Sequence, residues 1–231
     1  MKKGVQKIYK EVAATYEKVN HVLTMGLDIL WRKKAATAAA GKSPVLCLDI
    51  CSGTGEMAQY LIRYIGETTV VSADFSQEML TVSRRRNRNA PVLFTLTDAG
   101  RLSFADHSFD LVIISFATRN LDSNRARLLA HLKEFHRVLK SGCLFINLET
   151  SQPRSPVIRF LFHTYVRLTV RSIGTWISGS KSGYSYLSHT IPRFYSAVQL
   201  TELLYEAGFE SVEAKTYLFG VAALHTAVKQ S

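Results

Sequence analysis

An α/β fold built on a doubly wound, mostly parallel seven-stranded sheet is what this sequence predicts, and three observations predict it. Short apolar runs such as Val45 to Ile50 and Thr69 to Ala73 lack the polar alternation of a one-sided sheet, so they read as strands buried on both faces. Helical segments separate these runs in steady alternation. The first run ends in Ser52-Gly53-Thr54-Gly55, a glycine turn that leads directly into a helix.

Taken in order, residues 5 to 18 and 27 to 40 read as helices joined by Asn20 to Gly26, with Val12, Tyr16, Val19 and Leu23, then Leu27, Leu30 and Trp31, as apolar positions. Strand one (45 to 50), a helix (56 to 65), strand two (69 to 74), a helix (77 to 88) and strand three (92 to 96) follow. A loop with Asp98 and Asp106 precedes strand four (109 to 116). Arg125 to Leu139 is an amphipathic helix stopped by Lys140-Ser141-Gly142, and strand five runs from 143 to 149. Residues 156 to 177 form an inserted helical segment, Ser178 to Gly183 a polar loop, and Gln199 to Glu206 a helix ended by Ala207-Gly208. Phe209 to Thr216 and Val221 to Val228 close the sheet as a hairpin-like pair, with one antiparallel strand at the end. Residues 1–40 are then a helical lid on an α/β domain of residues 41–231, with an insertion over about 154–196.

Gly53 and Gly55 lack a Cβ, so the chain can turn tightly and a ligand can lie against bare peptide units. A pyrophosphate would sit on the N–H groups and positive dipole end of the helix that follows. Glu56 puts a carboxylate in that turn, which repels phosphate and favours a cationic ligand. S-adenosylmethionine (SAM) fits, with a sulfonium, an α-ammonium and no phosphate; Asp49 and Glu56 would supply negative charge near its methionine part. The plainer alternative is a strand-to-helix turn whose glycines serve geometry alone. Asp74 lies 19 residues beyond Gly55 at the end of strand two, placed to accept both ribose hydroxyls, or to cap the helix from Ser76. Asp98, after strand three, could accept from an adenine amino group.

Composition bounds the rest. With 231 residues, 47% hydrophobic and 20% charged, the chain suffices for one well-buried domain with an appended lid. Cys47, Cys51 and Cys143 form neither a disulfide framework nor a zinc spacing, which points to a reducing cytosol. The seven His residues form no metal-spaced cluster, so no metal is expected. No cleavable leader pattern opens the chain and no apolar run approaches bilayer-spanning length, so the expected location is cytoplasmic. The net charge of +11 implies an anionic partner, nucleic acid or membrane. Arg84-Arg85-Arg86-Asn87-Arg88 ends a helix, where cations suit the dipole. Arg159, His163, Arg167 and Arg171 recur every four residues among Phe160, Leu161, Phe162, Tyr165 and Trp176. On one helix that spacing drifts by about 40° per step and makes a basic stripe beside apolar surface. Such a helix suits an anionic lipid interface, or a core-packed helix with one wet face.

The chain resembles the ubiquinone/menaquinone biosynthesis C-methyltransferases (UbiE/MenG) of the SAM-dependent class, over nearly its whole length. Val12-Ala13-Ala14-Thr15-Tyr16, Asn20, and Met25-Gly26-Leu27 with Leu30-Trp31-Arg32 are similar to the family's lid helices. Leu48-Asp49 with Gly53-Thr54-Gly55 matches the cofactor loop, and Ala73-Asp74 with Glu78-Met79-Leu80 the ribose segment. Ser115-Phe116 with Arg119-Asn120, Arg137 to Lys140, Tyr184 to Leu187 and Val221 to His225 complete the match; the Ser-Phe with Arg-Asn block and the Ala-Leu-His ending are its most specific parts. The sequence departs from the family pattern at Ser141 and Cys143, at Ala117-Thr118, and at His189, where many members carry Glu.

The resemblance implies a Rossmann-like methyltransferase fold and methyl transfer from SAM to a ring carbon of a reduced quinone, demethylmenaquinol or a related benzoquinol. It implies cofactor contacts at Thr54, Asp74, Asp98-Ala99 and Ser115, to which Asp49, Gly53, Gly55, Phe75 and Met79 are added from the same segments. Arg119, with Asn120, is the group expected to stabilise the phenolate that activates the ring carbon or to act through a bound water; as a guanidinium it is itself no conventional base. His189 and His163 are imidazoles able to take the proton. Tyr16 and Tyr184 could orient ring oxygens or close over the sulfonium. The implied partners are an isoprenoid quinol and the inner face of an anionic membrane, with nucleic acid disfavoured because no Pro-Pro-Tyr or Cys follows strand four, and with an oligomer open. The rivals are methylation of a soluble phenolic metabolite or of RNA, and a SAM-binding module without catalysis.

Overall fold

The structure, a computed structural model, describes residues 15–122, 124–178 and 181–230. At its centre lies β1 (Leu46–Ile50), paired in parallel with β2 (Thr69–Asp74) on one side and β4 (Phe109–Ser115) on the other. With β3 (Val92–Leu96), β5 (Leu139–Thr150), β6 (Glu210–Tyr217) and β7 (Ala222–Val228), the strand order is β3-β2-β1-β4-β5-β7-β6. β7 is the antiparallel strand, and it lies between β5 and β6. The chain winds outward from β1 to β3 and then crosses to β4, so strand order reverses between β1 and β4. At such a switch point the loops beyond the strand carboxyl ends part and leave a crevice.

Side chains alternate across the sheet as the pleat requires. Cys47, Val70, Leu111, Ile113 and Ile146 face one layer, closed by α2 (Leu27–Ala40) and α3 (Glu56–Ile65). Leu48, Ile50, Val112, Ile114 and Phe145 face the other, closed by α6 (Arg125–Val138) and α10 (Ala197–Glu206). Ala35, Ala36 and Ala39 are wholly buried, and their small side chains let α2 settle close against α3 and the sheet. α10 begins with a capping box in which Ser196 and Gln199 satisfy each other's backbone N–H. A third cluster forms the roof over the carboxyl edge: Val19 of α1 (Tyr16–Leu23), Met79 of α4 (Gln77–Arg86), and Val166, Val170 and Leu187 of the insertion. Within that insertion α7 (Pro156–Tyr165) is tied to α1 by the Tyr165 hydroxyl, which donates to the Leu23 carbonyl at 2.6 Å.

Five local differences from the sequence expectation have physical causes. α1 continues to Leu23, into the expected connector, and the break is confined to Thr24–Gly26, where Gly26 takes a left-handed φ of 77°. The expected helical residues 5–14 lie outside the described residues. The single inserted helix is instead α7, a π-helical turn Val166–Val170 and α8 (Arg171–Ser178); the widened turn breaks the four-residue stripe. Part of the expected polar loop after it is helical, α9 (Lys181–Thr190). A short α5 (Thr118–Leu121) follows β4, too brief for any periodicity to reveal. Finally, β5 starts at Leu139 rather than 143: Gly142, at φ 74°, turns the strand while its N–H donates to the Lys229 carbonyl, so this glycine shapes a strand rather than ending a helix.

Gly55 positions the loop for the site. It holds φ 74°, and a Cβ there would overlap the Ser83 hydroxyl and lie 2.6 Å from Asn87 Nδ2, which itself donates to the Gly55 carbonyl. Gly53, at φ 55°, has nothing within 4 Å of a Cβ position. Gly55→Ala is therefore expected to cost about 2–5 kcal/mol, from overlap and backbone strain together, and Gly53→Ala only about 1–2 kcal/mol from backbone strain. Urea unfolding of the two variants checks the ranking.

Candidate active site

Two adjoining pockets lie over the switch point. The first is lined by Gly53 and Thr54 after β1, Asp74, Phe75 and Met79 after β2, and Ser115 and Asn120 after β4, with Tyr16, Arg32 and Glu56. Asp74 is clamped: its two oxygens accept from the backbone N–H of Gly53 and of Ser76, each at 2.9 Å. Ser76 meanwhile caps α4 through Met79 N, so the acid holds the loop and the serine the helix. Burial raises the Asp74 carboxyl against these backbone hydrogen bonds, which pull it down. The Phe75 backbone bonds to the carboxylate too, so three backbone groups hold it at the pocket that it lines.

Asp49, beneath the loop on β1, is wholly buried, and neither carboxylate oxygen has a hydrogen-bond partner among the described residues. Burial pushes its pKa up to about 8, with Arg32 opposing and Asp74 reinforcing the shift. An orphaned carboxylate of this kind is costly unless a cation completes it. Glu56 is not the free charge that the sequence implied: Arg32 Nε lies 3.1 Å from its Oε2, and Arg32 also donates to Ser115 Oγ at 2.8 Å. Cys51 and Phe116, which flank the crevice, both hold φ 54°, a strained backbone kept where it shapes a site.

The second pocket is a cavity of about 340 Å³ between α1, α2, the insertion and the β4–α5 turn. Its walls include Leu23, Leu27, Trp31, Phe116, Phe162, Val166, Val170, Leu187 and Ile191, and Tyr16 lines this cavity as well as the first pocket. Two charged side chains reach the lining, Asp28 and Arg119. Arg119 is buried and already paired: Nη1 donates to Glu149 Oε1 at 2.7 Å and to Thr150 Oγ1 at 3.2 Å, and its backbone N–H to Glu149 Oε2 at 3.2 Å.

A bilobed crevice with a clamped acid at Asp74, a buried carboxyl without a partner at Asp49 and an apolar second chamber is suited to passing a group from a nucleoside to an apolar acceptor. A sequence profile of the ubiE/COQ5 methyltransferase family matches residues 1–229. The chain belongs to this family. Two relatives are each 32% identical to it: a protein named demethylmenaquinone methyltransferase from Staphylococcus saprophyticus, covering 99% of this chain and 97% of that protein, and one named ubiquinone/menaquinone biosynthesis C-methyltransferase UbiE from Desulfotalea psychrophila, covering 98% and 90%. Among solved structures, human N-acetylserotonin methyltransferase in complex with SAM aligns with a TM-score of 0.64 at 16% identity, over 94% of this chain and 58% of that one. A SAM-dependent methyltransferase from Aquifex aeolicus aligns with a TM-score of 0.55 at 16% identity, over 79% and 81%. Membership brings the family's activity, SAM-dependent C-methylation in menaquinone/ubiquinone biosynthesis.

The residues of this ubiE/COQ5 family member fit SAM: Asp74 would hold the ribose diol, Gly53 leaves open space beside the loop, and Asp49 would meet the α-ammonium. When bound, SAM supplies a methyl group on a positively charged sulfur. The structure gathers eight of the predicted residues at the first pocket: Tyr16, Gly53, Thr54, Asp74, Phe75, Met79, Ser115 and Asn120. Gly55 and Asp49 support it from below. Asp98 and Ala99 do not line it; Asp98 is exposed and accepts from Gly100 N at 2.8 Å, turning back toward Arg101. His189 is exposed on α9 and lines neither pocket. His163 is also outside the cavity lining, bonded through Nε2 to Gln152 Oε1 at 2.7 Å, and burial with nearby Arg159 and Arg167 lowers its pKa. The Tyr184 side chain lies outside the described ones. Asp28, Arg32 and Glu149 were missed, although Asp28 and Arg32, four apart and flanking Trp31 on an otherwise apolar helix face, form a pattern that placed charge on a buried surface.

Asp49 ties stability to pH. Its folded pKa of about 8 lies above the ordinary 3.8, so between those values the folded chain holds a proton that the unfolded chain has released. Stability must fall as pH rises through that window, reaching its full penalty above about 8. Asp49→Asn removes the term: thermal melts from pH 5 to 9 are expected to show a smaller loss for the variant than for the parent, while calorimetry shows weaker SAM binding.

Proposed function

We propose that the methyl acceptor is a ring carbon of a reduced, isoprenylated quinone, a naphthoquinol of the demethylmenaquinol type or a related benzoquinol. The cavity carries this reading. It is an aromatic and aliphatic chamber within the size range of small-ligand sites, with two charged groups in its lining, and it shares Tyr16 with the cofactor pocket. Its rim adds support: Met25 is 74% and Phe219 77% exposed while lining the cavity, so a hydrocarbon tail has an apolar way out. The printed names of the relatives point to the same acceptor class.

A ring carbon is a weak nucleophile until a neighbouring hydroxyl loses its proton and pushes charge onto the ring. The Arg119 guanidinium, fixed by Glu149 before any substrate arrives, is a preorganised donor for an oxygen that gains charge, at no cost of reorganisation. Low-dielectric walls strengthen that interaction. The Arg119–Glu149 pair as a whole is neutral, so it favours charge that develops during reaction over an anion bound beforehand. Holding the acceptor against the loop supplies the remainder through alignment.

The same reading extends to a membrane. No helix of the described residues is long and apolar enough to cross one. Val157, Phe160, Leu161, Leu168 and Trp176 nevertheless stand exposed on the insertion, Trp176 at 86%, with Arg167 and Arg171 exposed among them. Arg159 is exposed as well and keeps its charge while donating to the Pro153 and Arg154 carbonyls, whereas His163 is turned inward onto Gln152. Apolar side chains among cations suit peripheral contact with the anionic inner face of a membrane, where the substrate would reside.

Incubation with labelled SAM and a panel of reduced naphthoquinols, benzoquinols, soluble phenols and RNA is expected to methylate a quinol ring carbon, identified by mass analysis, with KM about tenfold lower or more when a tail is present. Methylation of phenols or RNA in preference to quinols would refute the acceptor. Co-sedimentation with anionic vesicles is expected to weaken with salt and to fail for Phe160→Asp/Trp176→Asp, while that variant still methylates a tailless quinol; equal sedimentation of both proteins would remove the membrane reading.

A further inference from the structure

The quinol's hydroxyl proton needs an acceptor, and the cavity narrows the choice. Asp28 and Arg119 are the charged side chains of its lining among the described residues, and no histidine lines it. A guanidinium cannot take a proton. Asp28, in the first turn of α2, is 1% exposed, and both its oxygens are oriented: Thr24 Oγ1 lies 2.6 Å from Oδ1, and His21 Nδ1 lies 2.7 Å from Oδ2. Asp28 lines the substrate chamber and its carboxylate is held by an imidazole, an arrangement of base and orienter known from acid–base catalysis.

We infer that Asp28 is the catalytic base that takes the acceptor's hydroxyl proton, and that His21 is its positioning residue, an assignment that rests on the quinol reading above. The O–H bond breaks, its proton joins an Asp28 oxygen, and its electron pair moves into the ring. The ring carbon's pair forms the new C–CH₃ bond, and the S–CH₃ pair stays on sulfur. The hydrogen of that carbon then leaves as a proton to water, and Asp28 returns its own to the oxygen. Atoms and charge balance with one proton released per methyl moved.

His21 orients Asp28. Its Nδ1, 2.7 Å from Oδ2, fixes the direction in which the carboxylate presents its lone pairs. The other groups around it are paired in turn. His21 Nε2 lies 3.3 Å from Glu17 Oε1 and 3.7 Å from Glu56 Oε1, Glu17 is bridged to Arg86 of α4, and Glu56 to Arg32 of α2.

The test uses the full chain with SAM and a short-tailed reduced naphthoquinol under anaerobic conditions. Asp28→Asn is expected to lower kcat by about 10²- to 10⁴-fold with quinol KM and SAM affinity within about threefold of the parent, and Asp28→Glu to recover part of that loss. His21→Ala is expected to lower kcat by about tenfold or more at unchanged KM, and His21→Asn, which keeps a donor toward Asp28, to recover it. An Asp28→Asn enzyme with kcat within about threefold of the parent, or a His21→Ala enzyme that keeps the parent kcat, would overturn the assignment. Should Asp28→Asn fail to fold, the Asp28→Glu rate and the two His21 variants decide it. A parent enzyme that methylates no quinol reveals failure of the acceptor reading itself, before any variant is compared.

Discussion

Buried Arg32 ties three elements together at the point where the sheet reverses. From α2 it donates to Ser115 at the end of β4 and pairs with Glu56 at the start of α3, while its guanidinium lies 5.0 Å from the Phe116 ring centroid. The arginine is 5% and Glu56 8% exposed, so removing either would strand a buried charge, a loss of about 3–5 kcal/mol for pairs of this kind. This contact sets the height of α2 above the crevice, and α2 carries Asp28, one turn earlier, and the adjacent Trp31 to the wall of the apolar chamber. Cofactor loop, lid and substrate wall are thereby one mechanical unit.

That unit divides the active site into two environments. The loop side is polar, with a clamped acid at Asp74 and an uncompensated one at Asp49; the lid side is hydrocarbon, with its arginine neutralised by Glu149. On the proposed reading a positively charged donor suits the first and an apolar acceptor the second, and Tyr16 borders both. Excluding water from the junction strengthens each remaining electrostatic contact there. The same division explains why the chain can expose Trp176 and Phe160 on its insertion and still keep its sheet core closed: the roof cluster of Val19, Met79, Val166, Val170 and Leu187 seals the cofactor side independently of the outer surface.

The β1 turn, Asp74 and the Arg119 segment were legible because each depends on local chemistry. A glycine at positive φ, an acid at a strand end and a short motif after β4 keep their meaning wherever the chain carries them. The fate of charges was not legible. Glu56 looks like free negative charge until α2 brings Arg32 to it, and Asp49 looks equivalent to it until burial leaves its oxygens without partners. Arg119 reads as an isolated cation until β5 presents Glu149. His163 and His189 are chemically apt, yet helix geometry directs one to Gln152 and leaves the other exposed, because a π-helical turn and α9 replace the single helix and loop that periodicity implied.

The sequence by itself determined the alternation of strands and helices, the antiparallel final strand and the nucleoside-binding edge, since these follow from apolar periodicity, glycine turns and acids at strand ends, and its resemblance in the Ser115-Phe116 with Arg119-Asn120 block and the Val221 to His225 ending pointed to the SAM-dependent family. Only the tertiary structure decided which carboxylates are neutralised, which side chains share a cavity, and that Asp28 and His21 meet across the turn between α1 and α2. The physical reason is range. Backbone propensity acts within a few residues, whereas the environment of a charge is set by whatever the packed chain brings within a few ångströms, and Arg32 and Ser115 are 83 residues apart in sequence.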